Sequence, residues 1–287
     1  MADATVHLVT VLYNSADCLP TFLASLAAQD SVRWHLTAID NASADDGAAL
    51  LAAPGDARIS LVRNRENLGF ARAANQGMRA ALDAGAEFVV LLNNDVELPS
   101  DFLRRFLAAR DTLDADVLAP RIMYRDPPGA SWYAGGHFER GWVFRNVHEE
   151  YDPADTRAVR TVEFASGCCL GLTRAVLARV GMFDERFFVY WEDADLCLRL
   201  GAMGERIHYL NDLVLLHEGG HSSGGETGTG FNRLFYRSYV QLLRKHFGFF
   251  AALRSIFRLV LRELQKPERS GRQRVVIWTA MLRGLVA

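Results

Sequence analysis

Four apolar, largely β-branched runs, spaced by helix-like segments, constrain the fold of this chain more than any other feature. They are TVHLVTVL at 5–12, WHLTAI at 34–39, RISLVR at 58–63 and EFVVLL at 87–92. The spacing predicts helices over 18–28, 44–53, 70–84 and 99–110. Pro54-Gly55 and Gly85 stop the second and third, and Pro99-Ser100 opens the fourth. Strands alternating with helices at this pace make βαβ units and a mainly parallel sheet. Near-continuous apolar strands imply a sheet covered on both faces. Three of the runs end in polar clusters: Tyr13-Asn14, Asp40-Asn41 and Asn93-Asn94-Asp95. Open α/β sheets bind ligands outside the C-terminal ends of their strands, so these clusters mark the candidate site.

The pattern changes from 124 to 160, which is rich in Gly, Pro and aromatic residues and has no sustained period. It reads as a hairpin-like insertion or a loop over a site. Strand character returns over 162–172, helices are expected over 173–180 and 193–203, and short strands over 206–210 and 213–217. A Gly/Ser-rich loop over 219–230 reads as a linker or a lid, and three helices follow over 231–246, 249–265 and 271–286. The expected division is a catalytic domain over 1–230, with halves at about 1–120 and 121–230, followed by C-terminal helices over 231–287.

Composition narrows the classes. A chain of 287 residues with 50% hydrophobic and 23% charged residues is not disordered. Its formal charge of −2 argues against a nucleic-acid binder. Cys18, Cys168, Cys169 and Cys197 form no CxxC pair and read as buried reduced thiols. The acidic N-terminus is not a signal peptide, and no apolar run reaches 18 residues, so the expected location is cytoplasmic.

Several residues could carry chemistry. Carboxylates at a strand end, as at Asn94-Asp95, suit Mg²⁺ or Mn²⁺ holding a diphosphate, and equally suit a plain turn. Asp40 can read a base edge or a ribose. Gly69 opens a helix whose N-terminus attracts phosphate. Trp191-Glu192-Asp193-Ala194-Asp195 packs three acids into one helical turn. One cap needs one acid, so the surplus points to a general base or a ligand. His217 ends a strand and is a candidate metal partner; His221 and Ser222 follow it.

In this order the motifs resemble glycosyltransferase family 2, the inverting GT-A-type sugar-nucleotide transferases. The resemblance rests on VTVLYNS at 9–15, IDNAS at 39–43, NLGFARAANQG at 67–77, LLNNDVEL at 91–98, GCCLGLTRAVLARVGMFDERFFVYWEDADLCLRL at 167–200 and LHEGGHSS at 216–223. It is strongest toward bacterial rhamnosyltransferases of cell-surface polysaccharide synthesis, and extends to galactofuranosyltransferases. It implies a Rossmann-like sheet flanked by helices. Thr10, Tyr13, Asn14, Asp40, Asn67, Gly69, Arg72, Asn75, Asn94, Asp95 and Trp191 would bind the nucleotide sugar. Asp95 and His217 would hold Mg²⁺ or Mn²⁺, with Asn93 replacing the first acid of the usual DxD motif. Asp193 would be the catalytic base, with Glu192 and Asp195 positioning the acceptor or the base. The implied donor is dTDP-rhamnose, or another sugar nucleotide such as UDP-galactofuranose, UDP-GlcNAc or UDP-glucose. The acceptor would be a glycan or a polyprenyl-linked glycan.

Residues 244–287 hold ten Lys and Arg against two acids, a local +8 that leaves −10 for residues 1–243. Leu253, Ile256, Phe257, Val260, Leu261 and Leu264 share one helical face beside Arg254, Arg258 and Arg262. The expected partner is an anionic membrane surface. The alternative is packing on the catalytic domain or in a homo-oligomer. Two rival functions compete. A nucleotidyltransferase usually needs a basic Gly-rich loop after its first strand, which YNSADCLP lacks. A non-catalytic sugar-nucleotide or polysaccharide-binding module would have no use for Asp95, Asp193 and His217 together.

Overall fold

The computed structural model describes residues 5–286 apart from 31, 54, 141–143, 150, 220–228 and 266–269. The first half alternates as expected: β1 (Thr5–Leu12), α1 (Leu19–Ala27), β2 (Arg33–Asp40), α2 (Gly47–Ala52), β3 (Ile59–Arg63), α3 (Phe70–Asp83) and β4 (Phe88–Leu92). A two-residue strand β5 (Val96–Glu97) and α4 (Phe102–Leu113) follow. The second half holds β6 (Val117–Tyr124), β7 (Ser131–Tyr133), β8 (Gly136–Arg140), β9 (Phe144–His148), β10 (Val159–Val162), β11 (Cys169–Thr173), α5 (Arg174–Val180), α6 (Glu192–Ala202) and β12 (Ile207–His217). Three helices end the chain: α7 (Thr229–Phe247), α8 (Phe249–Leu264) and α9 (Gly271–Val286).

The sheet runs β10-β12-β6-β11-β4-β1-β2-β3. β3, β2, β1 and β4 pair in parallel. β11 is antiparallel to both β4 and β6, and β12 is parallel to β6. The sheet is therefore mainly parallel, and the C-terminal ends of β1, β2 and β4 open on one edge. All five residues of β4 are buried, as a strand covered on both faces must be. α3 lies so close to β1 that a Cβ on Gly77 would come within 2.4 Å of Val9 Cγ1.

β6 is absent from the sequence reading because Pro120 sits inside it, and a proline argues against a central strand. Its partner shows how the fold accommodates this. The expected strands over 206–210 and 213–217 are one strand, β12, whose register against β6 shifts between Leu210 and Val214. Pro120 faces Leu210 at that irregularity, where its missing N–H leaves the fewest ladder bonds to break. The 124–160 segment contributes β7 to the main sheet and the β8–β9 hairpin beside it.

The C-terminal helices are not a separate body. Tyr239, Val240, Leu242 and Leu243 of α7, Ala252, Ile256 and Leu259 of α8, and Ile277 and Met281 of α9 belong to the same buried cluster as the sheet. The expected boundary at 230 therefore does not separate two cores. The apolar face expected for α8 is split. Ile256 and Leu259 point inward, whereas Leu253, Phe257, Leu261 and Leu264 remain exposed with Phe250, which is 82% exposed.

Candidate active site

A cleft of about 700 Å³ opens along the C-terminal ends of β1, β2 and β4. One end is lined by Val11, Tyr13, Asn14, Asn41, Gly69 and Asn93 to Asp95. β5 pairs with the end of β12, setting His217 opposite Val96. This brings Asp95 beside His217, with Oδ1 3.2 Å from Nε2. Both side chains are buried. Asp95 Oδ1 and both ring nitrogens of His217 have no hydrogen bond among the described residues. Burying polar atoms unpaired is costly, and a divalent cation would satisfy an oxygen and an imidazole nitrogen together. No group of three or more His, Cys, Asp or Glu is arranged for a metal among the described residues. A cation here would complete its shell with diphosphate oxygens and water, as Mg²⁺ commonly does. Trp132, from the insertion, packs against His217 with ring centroids 4.6 Å apart.

The acidic turn lies in the same cleft. Tyr190 and Trp191 both adopt left-handed backbone, φ 66° and 69°, and the chain then enters α6. Glu192 and Asp193 line the cleft from its first turn. Asp193 Oδ2 accepts from the Gly167 backbone N–H at 3.3 Å, and Oδ1 from that of Ala194 at 2.8 Å. Burial still raises its pKa against these bonds. Burial, and then the charge of Asp193, push Glu192 well above the ordinary carboxylate range. Its Oε2 is buried with no hydrogen bond among the described residues. A carboxylate whose affinity for a proton has been raised is suited to taking one from a hydroxyl.

Other expected residues serve the framework instead. Asp195 is fully buried and turned from the cleft lining. Its Oδ1 accepts from His246 Nε2 at 2.7 Å and lies 2.6 Å from Lys245 Nζ; its Oδ2 accepts from Arg199 Nε at 3.0 Å. Burial alone would raise its pKa, but the bonds from His246 and Lys245 outweigh that and leave it lowered. Asp195 thus ties α6, which carries Asp193, to α7. Arg72 and Asn75 also lie outside the cleft lining. Arg72 Nε and Asn75 Nδ2 both donate to Glu185, and Asn75 exchanges hydrogen bonds with the Phe183 backbone. They hold the 183–185 segment on α3. Trp191 packs on Phe235 and Tyr239 of α7, not into the cleft. Thr10 is fully buried within β1. Asp40 ends β2, where its Oδ1 accepts from the Ser43 N–H, and it is not part of the cleft lining.

Four residues combine a cleft position with a structural bond. Asn67 Oδ1 accepts from Asn41 Nδ2 at 2.9 Å and from the Gly69 N–H at 2.9 Å, fixing the loop before α3. Gly69 has φ 85°, and a Cβ there would sit 2.4 Å from the Phe188 carbonyl oxygen. That oxygen accepts from the Phe70 N–H at 2.6 Å, so one of the free amides expected to meet phosphate is already engaged. Asn14 Oδ1 accepts from Ala44 N, and Asn94 Nδ2 donates to the Val11 carbonyl. His221, Ser222 and most of the Gly/Ser-rich loop lie outside the described residues. The sequence reading missed Trp132, Phe188, Tyr190, Phe231 and Leu234, which also line the cleft. Their aromatic character was visible, but nothing in their spacing set them apart from core residues.

Such a cleft, at the strand ends of a mainly parallel sheet and furnished with a cation-suited pair and a proton acceptor, defines the GT-A class of nucleotide-sugar transferases. The model of glycosyl transferase family 2 matches residues 8–181, and the chain belongs to this family of enzymes. The chain is 30% identical over 270 residues to an N-acetylglucosaminyl-diphospho-decaprenol L-rhamnosyltransferase of Mycobacterium tuberculosis, covering 85% of this chain and 86% of that one. It is 24% identical over 207 residues to a dTDP-rhamnosyl transferase, RfbF, of Shigella flexneri, covering 69% and 68% of the two chains. Among solved structures, a mannosyltransferase of Pyrobaculum calidifontis in complex with GDP-Man and Mn²⁺ superposes with a TM-score of 0.60 at 17% identity. That match covers 98% of this chain and 86% of the other, and supports the fold.

Proposed function

We propose that this enzyme transfers L-rhamnose from dTDP-rhamnose, with inversion, to a polyprenyl-diphosphate-linked sugar in cell-surface polysaccharide synthesis. The observation that carries the transferase chemistry is the one cleft lined by Asp95, Glu192 and Asp193, with His217 outside the lining and 3.2 Å from Asp95. The choice of donor and acceptor is supported by the Mycobacterium tuberculosis relative, which matches along most of both chains. Asp193 accepts the proton of the acceptor hydroxyl. The freed oxygen bonds to the anomeric carbon as the carbon–oxygen bond to the diphosphate breaks on the opposite side, which inverts the centre. Gly167 and Ala194 amides hold the Asp193 carboxylate in one orientation. Asp95 and His217 would hold Mg²⁺ or Mn²⁺, which when bound supplies positive charge for the departing diphosphate.

The acceptor's lipid sets the location. No helix among the described residues is long and apolar enough to cross a membrane. The outward stripe of α8 (Phe250, Leu253, Phe257, Leu261 and Leu264) is apolar, and the row Arg254, Arg258 and Arg262 lies beside it. A stripe of this kind with adjacent cations suits an anionic lipid surface, here the cytoplasmic face of the membrane. Thermal shift against a panel of nucleotide sugars, with Mg²⁺ or Mn²⁺, tests the donor. The expected result is the largest rise with dTDP-rhamnose and a divalent ion; a larger rise with a UDP sugar would overturn that choice.

A further inference from the structure

We propose that the cleft carries a subsite for the sugar ring of the acceptor, walled by Tyr190 and Phe231 and closed by the Glu192 carboxyl; this rests on the transferase reading above. Whichever molecule loses its proton to Asp193 must lie against it, and the wall begins three residues earlier in the chain, at Tyr190. Tyr190 and Phe231 both line the cleft, with ring centroids 5.0 Å apart at 66°. Behind them stands an aromatic stack that does not reach the cleft. Phe231 stacks on Phe235 at 5.3 Å, Phe235 meets Trp191 at 5.2 Å, and Trp191 meets Tyr239 at 4.9 Å. The first two rings are thus held in place before anything binds, which lowers the ordering cost of binding.

The chemistry of the wall fits a pyranose. One face of such a ring presents C–H groups that pack on aromatic surfaces, while its hydroxyls need polar partners. Glu192 Oε2 is buried, lines the same cleft and has no hydrogen bond among the described residues. Burial raises the proton affinity of Glu192, and a carboxyl that carries a proton both donates and accepts, so it can serve a hydroxyl in either sense. The strand termini around Tyr13 and Asn41 line the same cleft and are left to the nucleotide under the transferase reading. Phe231 and Leu234 lie outside residues 8–181 matched by the family, so α7 adds to the cleft a wall beyond that shared segment.

Tyr190→Leu and Phe231→Leu in the full chain test this, with Tyr190→Phe as the conservative control. The probes are dTDP-rhamnose and a synthetic N-acetylglucosaminyl diphosphate carrying a short alkyl chain. Loss of either ring is expected to raise the acceptor KM about tenfold, leave the donor Kd within about twofold, and be rescued at position 190 by phenylalanine. An unchanged acceptor KM, or a donor Kd that weakens in step with it, would overturn the subsite. A wild-type chain that turns over no nucleotide sugar would sink the transferase reading itself, and the subsite with it.

Discussion

At the residue scale the proposed chemistry rests on two carboxyls adjacent in sequence. Glu192 and Asp193 are both raised, chiefly by burial, and cannot both ionise cheaply. A base with a raised pKa is protonated, and idle, until the pH passes that value. The rate of transfer should therefore climb with pH along an acidic limb lying above the ordinary carboxylate value of about 4. A pH profile of kcat whose acidic limb falls at or below that value would contradict the assignment. The identities of Asp95, Asp193 and His217 were legible from their motifs. That Asp95 and His217 meet at 3.2 Å was not, because the pairing of β5 with β12 that joins them is long-range. The partners of Arg72 and Asn75 were hidden for a related reason: nothing local reveals that the 183–185 segment lies on α3 and takes up their polar groups.

At the scale of elements, the third acid of the turn has become a clamp. Lys245 bridges Asp195 at 2.6 Å and Asp184 at 2.7 Å, and His246 and Arg199 complete the partners of Asp195. α6, which carries Asp193, is thereby locked to α7. Removing the carboxylate takes one acceptor each from Lys245, Arg199 and His246 in partly buried positions, although Lys245 keeps Asp184, so Asp195→Ala should cost about 3 kcal/mol, or roughly 5–10 °C in Tm. Because the folded pKa of Asp195 is lowered, its stabilisation is fully present above the unfolded value of about 4 and is lost as pH falls through the folded one. The Tm gap between wild type and variant should narrow in acid; an equal gap at pH 7 and pH 3 would tell against the clamp. Elements themselves were read well where periodicity was strong, as for β1 to β4 and α3. β6 was lost to Pro120, and β12, read as two strands, is one strand whose register shifts beside that proline.

The whole molecule joins two electrostatic halves through one core. The total of −2 conceals +8 in residues 244–287 and −10 elsewhere. That asymmetry was legible, but the sequence could not say which apolar residues of α8 stay outside. Ile256 and Leu259 enter the core, while Phe250 and Phe257 stay 82% and 65% exposed. The inward face explains why α8 folds with the enzyme, and the outward face is the one proposed to meet a lipid surface. Replacing Phe250, Phe257 and Leu261 together by Ser should abolish sedimentation with anionic vesicles at moderate salt and leave donor binding intact; undiminished sedimentation would refute that contact. The central claim is that this cleft moves a sugar by the base chemistry of Asp193. Its most direct test is transfer from dTDP-rhamnose to the alkyl-diphosphate acceptor by wild type and Asp193→Asn, with donor Kd measured on both. The account expects transfer to fall by about 10³-fold with the donor Kd nearly unchanged. Turnover of the variant at the wild-type rate would contradict it.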